Sequence, residues 1–137
     1  MIIPMKVHLL HVCVLTALLI SSMPLNSADK TNSILGPRLQ HVVAFKFKED
    51  ASKEQVRKVE KAFVALKDKI PEIAHLEWGN NNSPEGLNKD FTHCFIVTFH
   101  DEKGRAVYLP HPDHKAFVKI LKPILADVFV IDFWAKN

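Results

Sequence analysis

Residues 91–100 read FTHCFIVTFH, the clearest strand signal in the chain. In an extended backbone Phe91, His93, Phe95, Val97 and Phe99 fall on one face, and Thr92, Cys94, Ile96 and Thr98 on the other. Neither face carries an acidic residue or a lysine, so both are suited to being covered. Just upstream, HLEWG at 75–79 is a second, shorter strand, and the polar, turn-rich NNNSPEGLNKD between them returns the chain. Upstream again, Ser52 with Gln55 three residues later offers a capping box. From there Val56, Val59, Phe63, Leu66 and Ile70 recur at helical spacing until Pro71 ends the helix. QHVVAFKFK at 40–48 is the first strand, with His41, Val43, Phe45 and Phe47 on one face and Val42, Ala44, Lys46 and Lys48 on the other.

Downstream, Asp101 caps a short helix through Leu109, in which Gly104 costs about 1 kcal/mol relative to alanine. Pro110 breaks it, and Pro112 suits the first turn of a second segment in which His114, Phe117 and Leu121 share a face. DVFVIDFW at 127–134 closes the chain as a last strand. Strand, helix, strand, strand, broken helix, strand predicts an α+β, ferredoxin-like sandwich over residues 38–137, with a four-stranded antiparallel sheet. Two helices can cover only one face of that sheet. The face bearing Val42, Ala44, Cys94, Ile96 and Thr98 is therefore expected to pack against the same face of a second copy, giving a homodimeric α/β barrel.

The bulk properties agree with one soluble domain: 137 residues, 47% apolar, 24% charged, 9% aromatic and a formal net charge of +3. They exclude a disordered tail and a multidomain machine. Residues 37–137 hold 16 basic and 14 acidic residues, too nearly neutral to steer the domain toward nucleic acid or anionic lipid. Two cysteines cannot build a disulfide scaffold.

The first 28 residues read as a signal peptide: one lysine at Lys6, then an apolar stretch from Val7 to Ile20, then a polar segment. That stretch falls short of the ~20 residues of a spanning helix, and His8 and His11 interrupt it, so no stable membrane span is expected. Residues 29–37 would be a flexible lead. On this reading the protein is exported and keeps Cys94 as its one thiol; translation from Met23 would leave it cytoplasmic.

Five separated segments, HVVAFKFKEDAS, EWG, FTHCFIVTF, YLPHPDHKAF and VFVIDF, resemble in order and spacing the stress-responsive A/B barrel (Dabb) domain family over residues 39–134. The resemblance implies a ferredoxin-like protomer that dimerises through its sheets, and no cofactor. It also implies a site. A plant cyclase of the family carries out a cofactor-independent intramolecular aldol condensation, and its functional residues correspond to His41, His93, Tyr108 and His114. In such a mechanism His114 is the general base beside a carbonyl and Tyr108 donates to the developing enolate oxygen. His41 and His93 orient His114 or the substrate.

Three readings stand side by side. The four residues are a hydrogen-bonded structural cluster beneath the broken helix, a pocket for a small apolar or keto-acyl ligand, or a catalytic site of a cyclase or aldol-type lyase. A catalytic site needs a solvent-open pocket reached by both the His114 ring and the Tyr108 hydroxyl. Export weighs against thioester substrates, which are cytoplasmic. His111 and His114 are three apart, but Pro112 lies between them and no carboxylate or cysteine sits at ligand spacing, so no metal is expected. Cys94 is expected to be a dimer-face thiol, and His75 and His100 to be solvated strand ends.

Overall fold

The computed structural model describes residues 38–136. The expected signal peptide (1–28) and the expected lead (29–37) lie outside the described residues. Strand β1 (Leu39–Phe47) leads to α1 (Lys53–Val64) and α2 (Leu66–Lys69), followed by β2 (His75–Asn80) and β3 (His93–Phe99). Then come α3 (Glu102–Tyr108), α4 (Pro112–Leu121), a 3-10 turn (Lys122–Ile124) and β4 (Leu125–Trp134). The sheet order is β2-β3-β1-β4, and every ladder is antiparallel. This is the ferredoxin-like arrangement.

Local chemistry sets the boundaries. Ser52 Oγ accepts the Gln55 N–H while Gln55 Oε1 accepts the Ser52 N–H, so the capping box forms in full at the start of α1. The single helix expected through Ile70 is two pieces. Ala65 joins them with near-helical angles (φ −63°, ψ −15°), so the apolar stripe is uninterrupted and Val59, Phe63, Leu66 and Ile70 are all buried. Asp101 caps α3 by accepting the Gly104 N–H at 2.8 Å. β3 starts at His93 rather than Phe91. Lys89 and Asp90 both take positive φ, and the Phe91 N–H is bonded to the Asn88 carbonyl, so the loop closes before the ladder begins.

The helices cover one face of β1 and β3, while β4 is exposed on both faces. Val43 and Phe45 of β1 and Phe95, Val97 and Phe99 of β3 are buried against Val59, Phe63, Tyr108, Phe117 and Leu121. On the opposite face Val42, Ala44 and Ile96 are half-buried and Cys94 is exposed. Thr98 departs from the expected open face. It is 5% exposed, flanked across the ladders by Gln40 and His75, and its hydroxyl donates to Gln40 Oε1 at 2.9 Å. The open face instead extends onto β4, where Phe129, Ile131 and Phe133, each about half exposed, lie opposite Ala44, Val42 and Gln40. Among the described residues no helix is long and apolar enough to cross a membrane.

Candidate functional site

The corner between α3 and α4 builds the centre of the site. Tyr108 ends α3, and its carbonyl accepts the His111 N–H at 3.0 Å, tightening the turn. Pro112 occupies the first turn of α4, where a missing N–H is harmless, and His111 Nδ1 accepts the Asp113 N–H as the helix cap. His111 thus serves the fold. One turn later the His114 ring comes back over Tyr108, with ring centroids 4.4 Å apart.

His114 Nδ1 lies 3.0 Å from the Leu109 carbonyl oxygen. A carbonyl only accepts, so Nδ1 carries the proton and Nε2 keeps its lone pair. Burial pushes the His114 pKa below the usual histidine value; the Leu109 carbonyl opposes this, and the neighbouring His41 and His111 reinforce it. The ring is therefore a neutral base at neutral pH. Tyr108, 1% exposed, has its pKa raised by burial and stays a protonated donor.

His41 sits directly across the ladder from Asp132 of β4. Its Nδ1–H donates to Asp132 Oδ1 at 2.6 Å, and Arg105 of α3 donates to Asp132 Oδ2 at 2.6 Å. The His41 ring lies 5.8 Å from Tyr108, edge-on. Arg105, Asp132 and His41 thus form a fixed polar row beside the Tyr108–His114 pair. Neither Arg105 nor Asp132 was singled out from the sequence. The available signal was Asp132 itself, a carboxylate within the apolar VFVIDFW, which needs a partner if its neighbours are buried.

His93 does not join them. β1 and β3 run antiparallel, so the histidine near the start of each strand comes to the opposite end of the sheet: His41 pairs with Val97, and His93 with Phe45. Four residues of strand separate them, roughly 13 Å. At its own end His93 is 8% exposed. Its Nε2–H donates to Glu60 Oε1 of α1 at 3.0 Å, and Thr92 Oγ1 lies 2.8 Å from Nδ1. The Asn80 amide is 2.9 Å from Nε2, and the ring packs edge-on against Phe47 at 5.0 Å. This histidine ties α1 to the sheet. His75 and His100 are exposed at strand ends. Cys94 is exposed on the open face.

Four clefts are bounded by described residues, and none is lined by Tyr108, His114 or His41. The largest, about 550 Å³, lies between Phe47, Val56, Asp90 and His93. Another of about 460 Å³ is floored on the open face by Ala44, Gly79, Cys94 and Ile96.

The sequence and the fold are similar to those of known proteins. The chain is 34% identical over 98 residues to the stress-response A/B barrel domain-containing protein HS1 of Arabidopsis thaliana, covering 72% of this chain and 89% of that one. It is 24% identical over 95 residues to olivetolic acid cyclase of Cannabis sativa, covering 69% and 94%. A dimeric ferredoxin-like protein of unknown function from Thermobifida fusca superposes with a TM-score of 0.64 at 27% identity, covering 74% and 93%. The sequence model of the stress-responsive A/B barrel domain matches residues 39–135, and the chain belongs to that family, Dabb.

Proposed function

We propose that the protein is an exported homodimer that binds a small carbonyl compound at the α3–α4 corner, with Tyr108 donating to the carbonyl oxygen and His114 Nε2 accepting from the ligand. The observation that carries this reading is the His114 tautomer. Its Nδ1–H is committed to the Leu109 carbonyl, which leaves Nε2 an acceptor on a ring whose centroid is 4.4 Å from that of the Tyr108 phenol, the acceptor and donor types a small ligand needs. Homodimerisation is supported by the apolar row Val42, Ala44, Ile96, Phe129, Ile131 and Phe133, which the protomer leaves open, and by the dimeric description of the Thermobifida fusca protein. Export is supported by the apolar stretch Val7–Ile20 behind Lys6.

The test is titration with a β-diketone while the histidine ring carbons are followed by NMR. The expected result is a saturable shift at His114 that Tyr108→Phe weakens and that leaves His100 unmoved. No shift at His114, or the same shift in Tyr108→Phe, overturns the reading.

A second reading, proton abstraction in a cofactor-independent aldol-type lyase or cyclase, is favoured by one specific observation. A neutral histidine and a protonated tyrosine with ring centroids 4.4 Å apart are the base and the donor of carbon acid chemistry, although the four clefts described above do not open onto them. His114 Nε2 would take the proton next to the carbonyl, the electron pair would move onto the carbonyl oxygen, and the Tyr108 hydroxyl would hydrogen-bond the enolate formed. Hydrogen–deuterium exchange at the central carbon of the diketone, lost in His114→Ala, is its signature. Exchange no faster than in buffer refutes turnover and leaves binding standing.

A further inference from the structure

We infer that His93, Glu60 and Asn80 form a binding site for a divalent first-row transition cation such as Mn²⁺ or Zn²⁺. The site lies at the opposite end of the sheet from the Tyr108–His114 pair and does not depend on the ligand reading given for that pair.

Three of the four clefts are lined by His93. One of them, about 270 Å³ beneath the first turns of α1, is lined by His93, Glu60 and Asn80 together. Register places two of these: Asn80, the last residue of β2, lies directly across the ladder from His93, the first residue of β3. The third comes down from α1, where half-buried Glu60 follows buried Val59. Sequence spacing gives no sign of such a site, because α1, β2 and β3 each bring one donor. Among the described residues no three His, Cys, Asp or Glu side chains gather; the third donor here is an amide.

His93 Nε2 has two polar neighbours, Glu60 Oε1 at 3.0 Å and the Asn80 amide at 2.9 Å. A ring nitrogen that donates to Glu60 cannot also accept from an amide N–H, so the amide turns its Oδ1 toward the ring. Two oxygens then compete for one proton. In a six-coordinate shell with metal–donor distances of ~2.1 Å, neighbouring donors lie ~3.0 Å apart, and these nitrogen-to-oxygen separations are of that size. The other ring nitrogen fits as well. Thr92 Oγ1 is 2.8 Å from Nδ1. When a cation takes the Nε2 lone pair, the ring proton moves to Nδ1 and donates to that hydroxyl, the outer bond a ligating histidine ordinarily makes. Imidazole, carboxylate and amide oxygen together suit Mn²⁺ or Zn²⁺ better than Mg²⁺ or Ca²⁺, which favour oxygen donors throughout. Lys53 and Arg57 line the same cleft and hold the affinity down by their charge, so Glu60, the one carboxylate of that cleft, is essential to the site.

The experiment titrates the full chain at neutral pH with Zn²⁺, and separately with Mg²⁺, while the histidine ring nitrogens are followed by NMR. Expected with Zn²⁺ is a saturable change at His93 in which the proton passes from Nε2 to Nδ1, reached by about 1 mM, the weak end of the range for protein cation sites. Mg²⁺ should leave the ring unchanged. Glu60→Gln keeps an acceptor for His93 but removes the charge, and Thr92→Val removes the outer partner; each should weaken Zn²⁺ binding by about tenfold or more. Asn80→Asp adds a charge and should tighten binding by about tenfold, a gain that a purely structural amide would not give. The urea transition of each variant is recorded first, and Asn80→Asp alone carries the test should Glu60→Gln or Thr92→Val fail to fold. A His93 ring unmoved by Zn²⁺, or Zn²⁺ moving His75 or His111 and not His93, overturns the inference. Mg²⁺ acting as Zn²⁺ does, or Asn80→Asp binding no more tightly than the wild type, overturns it equally.

Discussion

Replacing Asp132 by alanine removes the acceptor that holds His41, and the cost can be worked from the contacts. The His41 Nδ1–H to Asp132 bond is short, 2.6 Å, and charge-assisted, a class worth roughly 1.5–3 kcal/mol. Once it is gone, a donor on a ring that is 7% exposed has no acceptor, so the upper part of that range applies. The Arg105 pair adds less. Both side chains keep about a quarter of their surface in solvent, 25% and 29%, and water screening limits such a pair to about 0.5–1 kcal/mol. Asp132→Ala should therefore destabilise by about 3–4 kcal/mol, a urea midpoint lower by about 1.5–2 M at a slope of about 2 kcal/mol per molar. Asp132→Asn keeps an amide oxygen for His41 and loses only the ion pair, about 1 kcal/mol. The assay is urea unfolding at one fixed protomer concentration, because association couples to stability. It is paired with nitrogen-15 shifts of His41, which should report Nδ1–H in the wild-type and Asn proteins and a tautomer change in the Ala variant. Equal midpoints for Ala and Asn, or a loss under about 0.5 kcal/mol for both, would refute the claim that the carboxylate anchors His41.

Other outcomes follow from single features. His114 should titrate below the 6.5 of a free histidine. As the pH falls from that value through its folded titration point the unfolded chain binds the extra proton, so stability falls across that window and levels off below it. His114→Gln should remove this slope, and an NMR midpoint at or above 6.5 would contradict the burial argument. Ser52→Ala deletes half of the capping box of α1 and should cost about 1 kcal/mol in urea unfolding; no measurable change would mean that α1 is held by packing alone. Val42→Asp and Ile131→Asp place a charge in the open sheet face and should convert a dimer to a monomer in sedimentation velocity, with unchanged far-UV circular dichroism. A wild-type monomer, or variants that sediment as dimers, would remove that face as the interface.

The fold was legible because its punctuation is local. Ser52 and Gln55, Asp101 and Pro112 mark helix starts through hydrogen bonds made within a few residues, and the period-two pattern of β1 and β3 fixes which side chains turn inward. The site was only half legible. Tyr108 and His114 are close in sequence, and the proline-bounded corner between them brings them together. The relation of His41 to His93 depends on register, and an inward parity says nothing about position along a strand. Antiparallel pairing puts the two histidines at opposite ends, which four residue types carried over from a relative do not encode. Asp132 was missed for the same reason. Its partner His41 is 91 residues away and is selected by the β1–β4 ladder.

That ladder links two functions of the sheet that otherwise stay apart. In most of the sheet, alternation insulates one face from the other: Phe95 packs inward while Cys94 and Ile96 look outward, and both are fixed by strands on either side. β4 is different, because among the described residues it is an edge strand that pairs only with β1. Asp132, which orients His41, lies between Ile131 and Phe133, the exposed apolar residues of the opposite face. The inward carboxylate is therefore only as well placed as the strand carrying it, and that strand has one ladder rather than two. A second copy seated on Ile131 and Phe133 would bury those side chains and restrict β4, and with it the geometry of the Arg105–Asp132–His41 row. The sheet face and the helix-side site meet in consecutive residues of one strand, so contacts on the first bear directly on the second.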